Sequence, residues 1–193
     1  VIMFTVRPYE KKDFRFVQDI CVATSAIADE DTPINRATLC AMYCDYYLDN
    51  EPEFCFVAVD DDDTPIGYIL CAADLDTYNE QMENNYLPLV RKLNGGEFFR
   101  FSAERKLDQR YIKQGYTAHM HIDILPEFQG QGVGTQLLTA LQDKLTESFV
   151  EGLYLTCSLK NTKARAFYEK CGFEDIDYIT GAVVYGKKLF TED

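Results

Sequence analysis

The chain is short of basic residues. Its 19 lysines and arginines stand against 32 aspartates and glutamates, a formal charge of −13 over 193 residues. A protein that grips phosphate backbones needs a basic face, so this balance argues against a nucleic-acid binder. It suits a cationic small molecule as acceptor, and equally suits plain solubility. Histidine is nearly missing, represented only by His119 and His121. The seven cysteines include no C-x-x-C pair, so no paired-thiol zinc or redox motif is present. Most of them sit inside apolar patterns, as Cys55 does in Phe54-Cys55-Phe56-Val57, and read as buried, reduced thiols of a cytoplasmic protein. No apolar run approaches the ~20 residues a membrane-spanning helix needs. The opening Val1-Ile2-Met3-Phe4 lacks a signal-peptide layout, and Val1 in place of methionine reads as the product of processing.

What is present suffices for one domain: 47% of the residues are hydrophobic, at a length that supports a sizeable core. Phe4 to Val6 reads as a first strand. Lys11 to Ser25 carries apolar residues near helical spacing, and Asp31-Thr32-Pro33 offers capping chemistry for a second helix from Asn35 to Leu48. Leu39, Met42 and Tyr46 would share its inward face. Glu53 to Val59 and Pro65 to Ala72 read as a hairpin around the acidic tip Asp60-Asp61-Asp62-Asp63. Asp74 to Gly115 is a long interlude with helical stretches, Asn79 to Leu93 among them, broken at Gly95-Gly96.

The informative stretch runs from Thr117 to Phe173. Met120, Ile122 and Ile124 alternate with His119, His121 and Asp123, a strand pattern that Pro126 ends. Gln129-Gly130-Gln131-Gly132-Val133-Gly134 follows, and then an amphipathic helix with Val133, Leu137, Leu138, Leu141 and Leu145 on one face. Glycines at that bend permit positive φ and close approach of a ligand to the backbone. The first turn of a helix adds unpaired N–H groups and a positive dipole end, so the bend is a cradle for phosphate or pyrophosphate. A further strand (Leu153, Leu155, Cys157), a short helix from Lys163 to Lys170 opened by Asn161-Thr162, and two closing strands complete the chain. The order is that of a mixed α/β domain without internal repeats.

Strand, Gln129-x-x-Gly132-x-Gly134, helix, strand, then Asn161 and Ala166-Phe167-Tyr168 with Gly172-Phe173: together these resemble the GNAT family of acyl-CoA-dependent N-acetyltransferases. The match is close over residues 117–173 and topological elsewhere. The resemblance implies an α/β fold with a mixed, mostly antiparallel central sheet flanked by helices, a single domain over 1–193, with 74–115 an insertion that shapes the acceptor site. It implies acetyl-CoA as cosubstrate, its pyrophosphate held by Gln129, Gly130, Gln131, Gly132, Val133, Gly134 and Thr135. It implies pantetheine pairing near Ile124 and Leu125, and cofactor contacts from Asn161 and Phe167. It implies a splayed gap between the strand at Ile124 and that at Leu153 to Cys157, and Tyr168 as the acid that protonates the departing thiolate. Glutamines stand at two loop positions where the family often has a basic residue, which puts more weight on backbone dipoles, with Lys160, Lys163 and Arg165 as nearby cations.

A protonated alkylamine has a pKa near ~10, so acetyl transfer to it also needs a base. Asp123 and His121 are both candidates, and a bulge common in the family at this strand would break their alternation. Two other functions fit part of the pattern. One is a CoA-binding sensor without catalysis. The other is a metal-dependent hydrolase using His119-x-His121-x-Asp123, which would need more histidine ligands than the chain has. The acceptor, a small-molecule or peptide amine, is not legible, and the last two strands offer an edge for a homodimer.

Overall fold

In the computed structural model, which describes residues 3–25 and 31–190, the chain lays strands and helices in the expected order. The start at Val1 lies outside the described residues. Strand β1 (Thr5–Pro8) leads through a turn at Lys11–Asp13 into helix α1 (Phe14–Thr24). Asp13 is 1% exposed and holds that turn: its carboxylate accepts the Glu10 N–H at 2.9 Å and two bonds from the Arg7 guanidinium at 2.7 and 2.9 Å. Thr32 caps helix α2 (Pro33–Tyr43), its hydroxyl accepting the Asn35 N–H at 3.2 Å.

The single helix expected from Asn35 to Leu48 is two. The backbone departs from helical geometry at Cys44 (φ −134°), and α3 (Asp45–Asn50) starts afresh. Within α3, Tyr46 and Tyr47 are both fully buried, so this short helix is covered on more than one side. Strand β2 (Phe56–Val59) starts later than expected, because Pro52–Phe54 forms a 3₁₀ turn. It pairs with β3 (Pro65–Ala72) around the acidic tip. There Asp60 accepts the N–H groups of Asp62 and Thr64, while Asp63 pairs with Arg7 and Lys12, so the tip is tied to the first strand.

The interlude is helical: α4 (Leu75–Gln81), a π turn at Met82–Tyr86, α5 (Leu87–Leu93), α6 (Gly95–Arg105) and α7 (Asp108–Ile112). Gly95 and Gly96 mark the boundary as expected, but they form the first turn of α6, capped by the Asn94 side chain on the Glu97 N–H. Strand β4 (Ala118–Ile124), helix α8 (Val133–Glu147), strand β5 (Gly152–Ser158), helix α9 (Thr162–Lys170) and strands β6 (Glu174–Ile179) and β7 (Ala182–Lys188) follow.

The described strands form one seven-stranded sheet in the order β1-β2-β3-β4-β5-β7-β6, antiparallel except where β4 meets β5. Helix α8 lies on one face, where Val133, Leu137, Leu138, Leu141 and Leu145 are buried with Met120, Leu153 and Leu155. Each such side chain contributes about 1.5–3 kcal/mol by burial, an upper bound against a compact unfolded chain. Helices α1 to α7 cover the other face, packed on Tyr47, Tyr68, Leu70 and Tyr154. The two layers meet at a defect. Strands β4 and β5 pair only through Ala118 with Leu153 and His119 with Tyr154, then separate.

Candidate active site

The glycine-rich bend lies at the C-terminal end of β4. Gly130 and Gly132 have φ of +75° and +88°, and nothing stands within 4 Å of where a Cβ would be. Gly132 is the N-cap of α8. From Gly130 to Thr135 the backbone N–H groups meet no protein acceptor among the described residues. Unpaired N–H groups at the start of a helix can hold an anion. Gly134 has a different reason to be glycine. A Cβ there would lie 3.1 Å from Phe167 Cζ and 3.3 Å from Ile124 Cδ1, so its bareness lets α8 settle against α9 and β4. The two glutamines brace the bend: Gln129 Nε2 donates to the Ile124 carbonyl at 2.9 Å and Gln131 Nε2 to the Glu127 carbonyl at 3.1 Å.

The gap between β4 and β5 supplies a free strand edge. The Leu125 N–H donates to the Ile66 carbonyl at 3.0 Å, on the β3 side. Alternation then aims the amide groups of Ile122 and Ile124 at the β5 side, where no strand meets them. The Leu125 N–H is therefore engaged, and the edge runs over Ile122 and the Ile124 N–H, the Ile124 carbonyl already accepting from Gln129. Asn161 caps α9 through its side-chain oxygen, which accepts the Ala164 N–H at 3.1 Å, leaving its amide N–H₂ for other partners.

Tyr168 and Asp123 approach the gap from opposite faces of the sheet. Tyr168 is packed among Phe167, Phe173 and Tyr185 on the α8 side and is 8% exposed. Its hydroxyl bonds to no described residue yet keeps contact with solvent. Burial, followed by the influence of Cys157 and Asp123, pushes the phenol above its ordinary pKa, so it holds its proton at neutral pH. Asp123 faces the α1 side and accepts a 2.7 Å bond from the Tyr68 hydroxyl. Burial pushes its carboxyl up to about 6, against the pull of the hydrogen bond from Tyr68.

The bulge that the resemblance suggested is not found on the β3 side. The β3–β4 register runs unbroken from Gly67 with Ile124 to Ala72 with His119, so His119, His121 and Asp123 do share one face. Burial lowers both histidines: His121 to about 4, and His119, with His121 adding to the effect, well below the ordinary value. Both are neutral at pH 7. Their rings meet edge to face at 4.7 Å among Tyr43, Tyr47 and Tyr154. His119 Nδ1 shares a 3.3 Å hydrogen bond with the Tyr47 hydroxyl, and His121 Nε2 is buried without a partner among the described residues. Among the described residues no group of three or more histidines, cysteines or carboxylates is arranged to hold a metal ion. All seven thiols are unpaired, and all but Cys171 are buried.

A cavity of about 370 Å³ opens on the histidine face. Its floor is His119, His121, Tyr154 and Thr156. Its walls come from α6, α7 and the β6–β7 turn. Most of those wall residues, Asp108 and Tyr111 above all, lie in the interlude and were not singled out from sequence. No spacing rule connects them to a strand ten or more residues away.

The chain can now be set beside known proteins. Residues 21–173 match the model of the acetyltransferase (GNAT) family. N-alpha-acetyltransferase 30 of Schizosaccharomyces pombe (strain 972 / ATCC 24843) is 26% identical over 171 residues, spanning 89% of this chain and 84% of that protein. The crystal structure of SsHAT superposes with a TM-score of 0.85 at 28% identity, covering 97% of this chain and 99% of that one. The NatC complex bound to Gag peptide and CoA shares the fold, with a TM-score of 0.58, 16% identity and 95% of each chain covered. The chain belongs to the acetyltransferase (GNAT) family. It is an acyl-CoA-dependent N-acetyltransferase, with acetyl-CoA as cosubstrate and an amine as acceptor. No helix among the described residues is long and apolar enough to cross a membrane.

Proposed function

We propose that this acetyltransferase works through the gap between β4 and β5, with its acid and its base on opposite faces of the sheet. Acetyl-CoA supplies the activated acyl group as a thioester. The N–H groups of residues 130–135 hold its diphosphate, and the free edge at Ile122 and Ile124 pairs with its pantetheine amides. Those contacts set the thioester between the strands. The 74–115 insertion shapes the acceptor site, and the amine enters from the cavity on the histidine face. Asp123, ionised above about pH 6, takes the proton that the amine must lose. The neutral His121 imidazole lines the route between cavity and carboxylate. The Tyr168 hydroxyl gives its proton to the sulfur as the C–S bond breaks, and the new N–C bond completes the product.

The observation that carries this reading is the free, solvent-touching hydroxyl of an otherwise buried Tyr168, on the far side of the gap from Asp123. Tyr168→Phe tests it. Removal of a general acid lowers kcat by about 10²–10⁴-fold, while CoA affinity, measured by calorimetry, stays within about twofold because the phosphate cradle is elsewhere. Unchanged turnover in that variant removes the assignment. A protein that binds acetyl-CoA but releases thiol with no amine would be a sensor instead.

A further inference from the structure

Two side chains beside the gap have nothing to bond. On the histidine face of β4, Asp123 accepts the Tyr68 hydroxyl at 2.7 Å and His119 shares a 3.3 Å bond with the Tyr47 hydroxyl. The ring of His121, between them, bonds to no described residue. Only its Nε2 is sealed from solvent, so Nδ1 is the nitrogen that a molecule in the cavity can reach. On the same face of β5, the Tyr154 hydroxyl donates to Asp108 at 2.5 Å and the Ser158 hydroxyl accepts the Lys160 N–H at 3.3 Å. Thr156, again the middle of three, has a hydroxyl with no partner among the described residues.

The register sets these two on opposite banks. Ala118 pairs with Leu153 and His119 with Tyr154 before the strands part, so the count carried on two residues brings His121 level with Thr156. Both line the cavity. Exposure changes at the same level: Tyr154 is 2% exposed, while Thr156 is open to solvent although β5 lies inside the sheet. A neutral imidazole offers one acceptor nitrogen, and a threonine hydroxyl offers acceptor lone pairs as well as its donor.

Resting on the acetyltransferase reading above, we propose that Thr156 is a catalytic residue: its hydroxyl oxygen on one bank and His121 Nδ1 on the other receive the two N–H groups of the attacking primary amine. A neutral primary amine carries a lone pair, two N–H groups and its substituent at tetrahedral angles. When the lone pair points into the gap, toward the thioester carbon, the other three point back to the cavity. The substituent follows the cavity, and the N–H groups diverge to the two banks. As the N–C bond forms, the nitrogen takes on positive charge, so both hydrogen bonds strengthen in the transition state. A secondary amine has one N–H fewer, and its extra carbon would face a hydroxyl or a ring nitrogen.

The test follows thiol release from acetyl-CoA with butylamine, benzylamine and a short peptide with a free N-terminus, each beside its N-methyl counterpart. The wild type is expected to favour the primary member of each pair that it turns over. Thr156→Val removes the hydroxyl and keeps the branched shape. It is expected to lower kcat for the primary amine by about tenfold, the worth of one hydrogen bond left unmade. KM and CoA affinity are expected to stay within about twofold, because the bond matters most in the transition state. The secondary amine is expected to lose less, so the preference narrows. Thr156→Ser, which keeps the hydroxyl without the methyl, is expected to retain most of the turnover. An unchanged kcat in Thr156→Val overturns the inference and leaves the acetyltransferase reading in place. So does an equal loss for both members of a pair, or a Thr156→Ser variant as slow as Thr156→Val. Absence of thiol release with every probe, with acetyl-CoA still bound, overturns the acetyltransferase reading and this inference with it.

Discussion

Tyr68 and Asp123 are register partners across β3 and β4, and the Tyr68 hydroxyl bonds the Asp123 carboxylate at 2.7 Å. With Asp123 as the proposed base, this pair is expected to set the acid limb of the reaction. Asp123 titrates at about 6, raised by burial and restrained by that hydrogen bond. A base must be ionised, so kcat/KM falls as pH drops through about 6. Tyr68→Phe removes a bond that lowers the pKa, and the limb is expected to move to higher pH. Asp123→Asn is expected to abolish the limb together with most of the activity. A pH–rate profile of the three proteins decides the matter; an unmoved limb in Tyr68→Phe would show that another group titrates.

Gly132 and Gly134 are both glycine for structural reasons, and the reasons separate in experiment. A side chain at Gly132 meets no neighbour but occupies a left-handed conformation, at a cost of about 1–2 kcal/mol. Gly132→Val is expected to weaken CoA binding, because the added atoms project into the open space of the cradle. Gly134→Val forces Phe167 and Ile124 aside, and overpacking of that kind costs about 1–3 kcal/mol. It is expected to lower the melting temperature by about 2–4 °C per kcal/mol. Calorimetric CoA titration and thermal melts of both variants read the two effects separately.

The exposed Gln131 donates only to the Glu127 carbonyl, so the cradle relies on backbone dipoles. Gln131→Arg adds a cation at the mouth of the bend. An exposed charge contact is worth about 0.2–1 kcal/mol, so CoA is expected to bind up to about fivefold tighter. The gain should fade as salt is raised. Tightening that is indifferent to salt would point to a packing effect.

Arg7 and Asp13 form the structural ion pair that joins the first strand to the first helix, with the Asp13 side chain 1% and that of Arg7 17% exposed. Arg7→Ala leaves a buried carboxylate without its cation, which costs about 3–5 kcal/mol. The urea midpoint is expected to fall accordingly, with CoA affinity per folded molecule unchanged. A loss below about 0.5 kcal/mol would place this pair with ordinary surface contacts.

The segment from β4 to α9 was legible in the sequence because its periods are unambiguous. Met120, Ile122 and Ile124 alternate, the α8 stripe repeats at three and four, and glycines stand where φ is positive. The core of the site follows from that local pattern. What was not legible depends on distant neighbours. Cys44 carries no helix-breaking side chain, yet the helix breaks there, and no local signal in the sequence marks it. Gly152 and Gly186 look like weak points in strands. A Cβ on Gly186 would lie 2.6 Å from Tyr116 Cε1, and one on Gly152 would run into the Gly115 carbonyl oxygen, so both glycines make room for the end of the interlude, one for a ring and the other for backbone. Asp108 and Asp177 are charged residues in an acidic chain, and only the fold brings one into the cavity and joins the other to Arg110 and Tyr111.

The parting of β4 from β5 has a mechanical meaning. A sheet is ordinarily stitched along its whole length, but here one seam is closed by two rungs and then left undone. On the proposed mode of binding, the cosubstrate along Ile122 and Ile124 is a thread between the two halves. CoA should therefore raise the melting temperature in proportion to the logarithm of its concentration. Amide exchange should slow on both sides of the seam at once, from the β3–β4 pair through to β7.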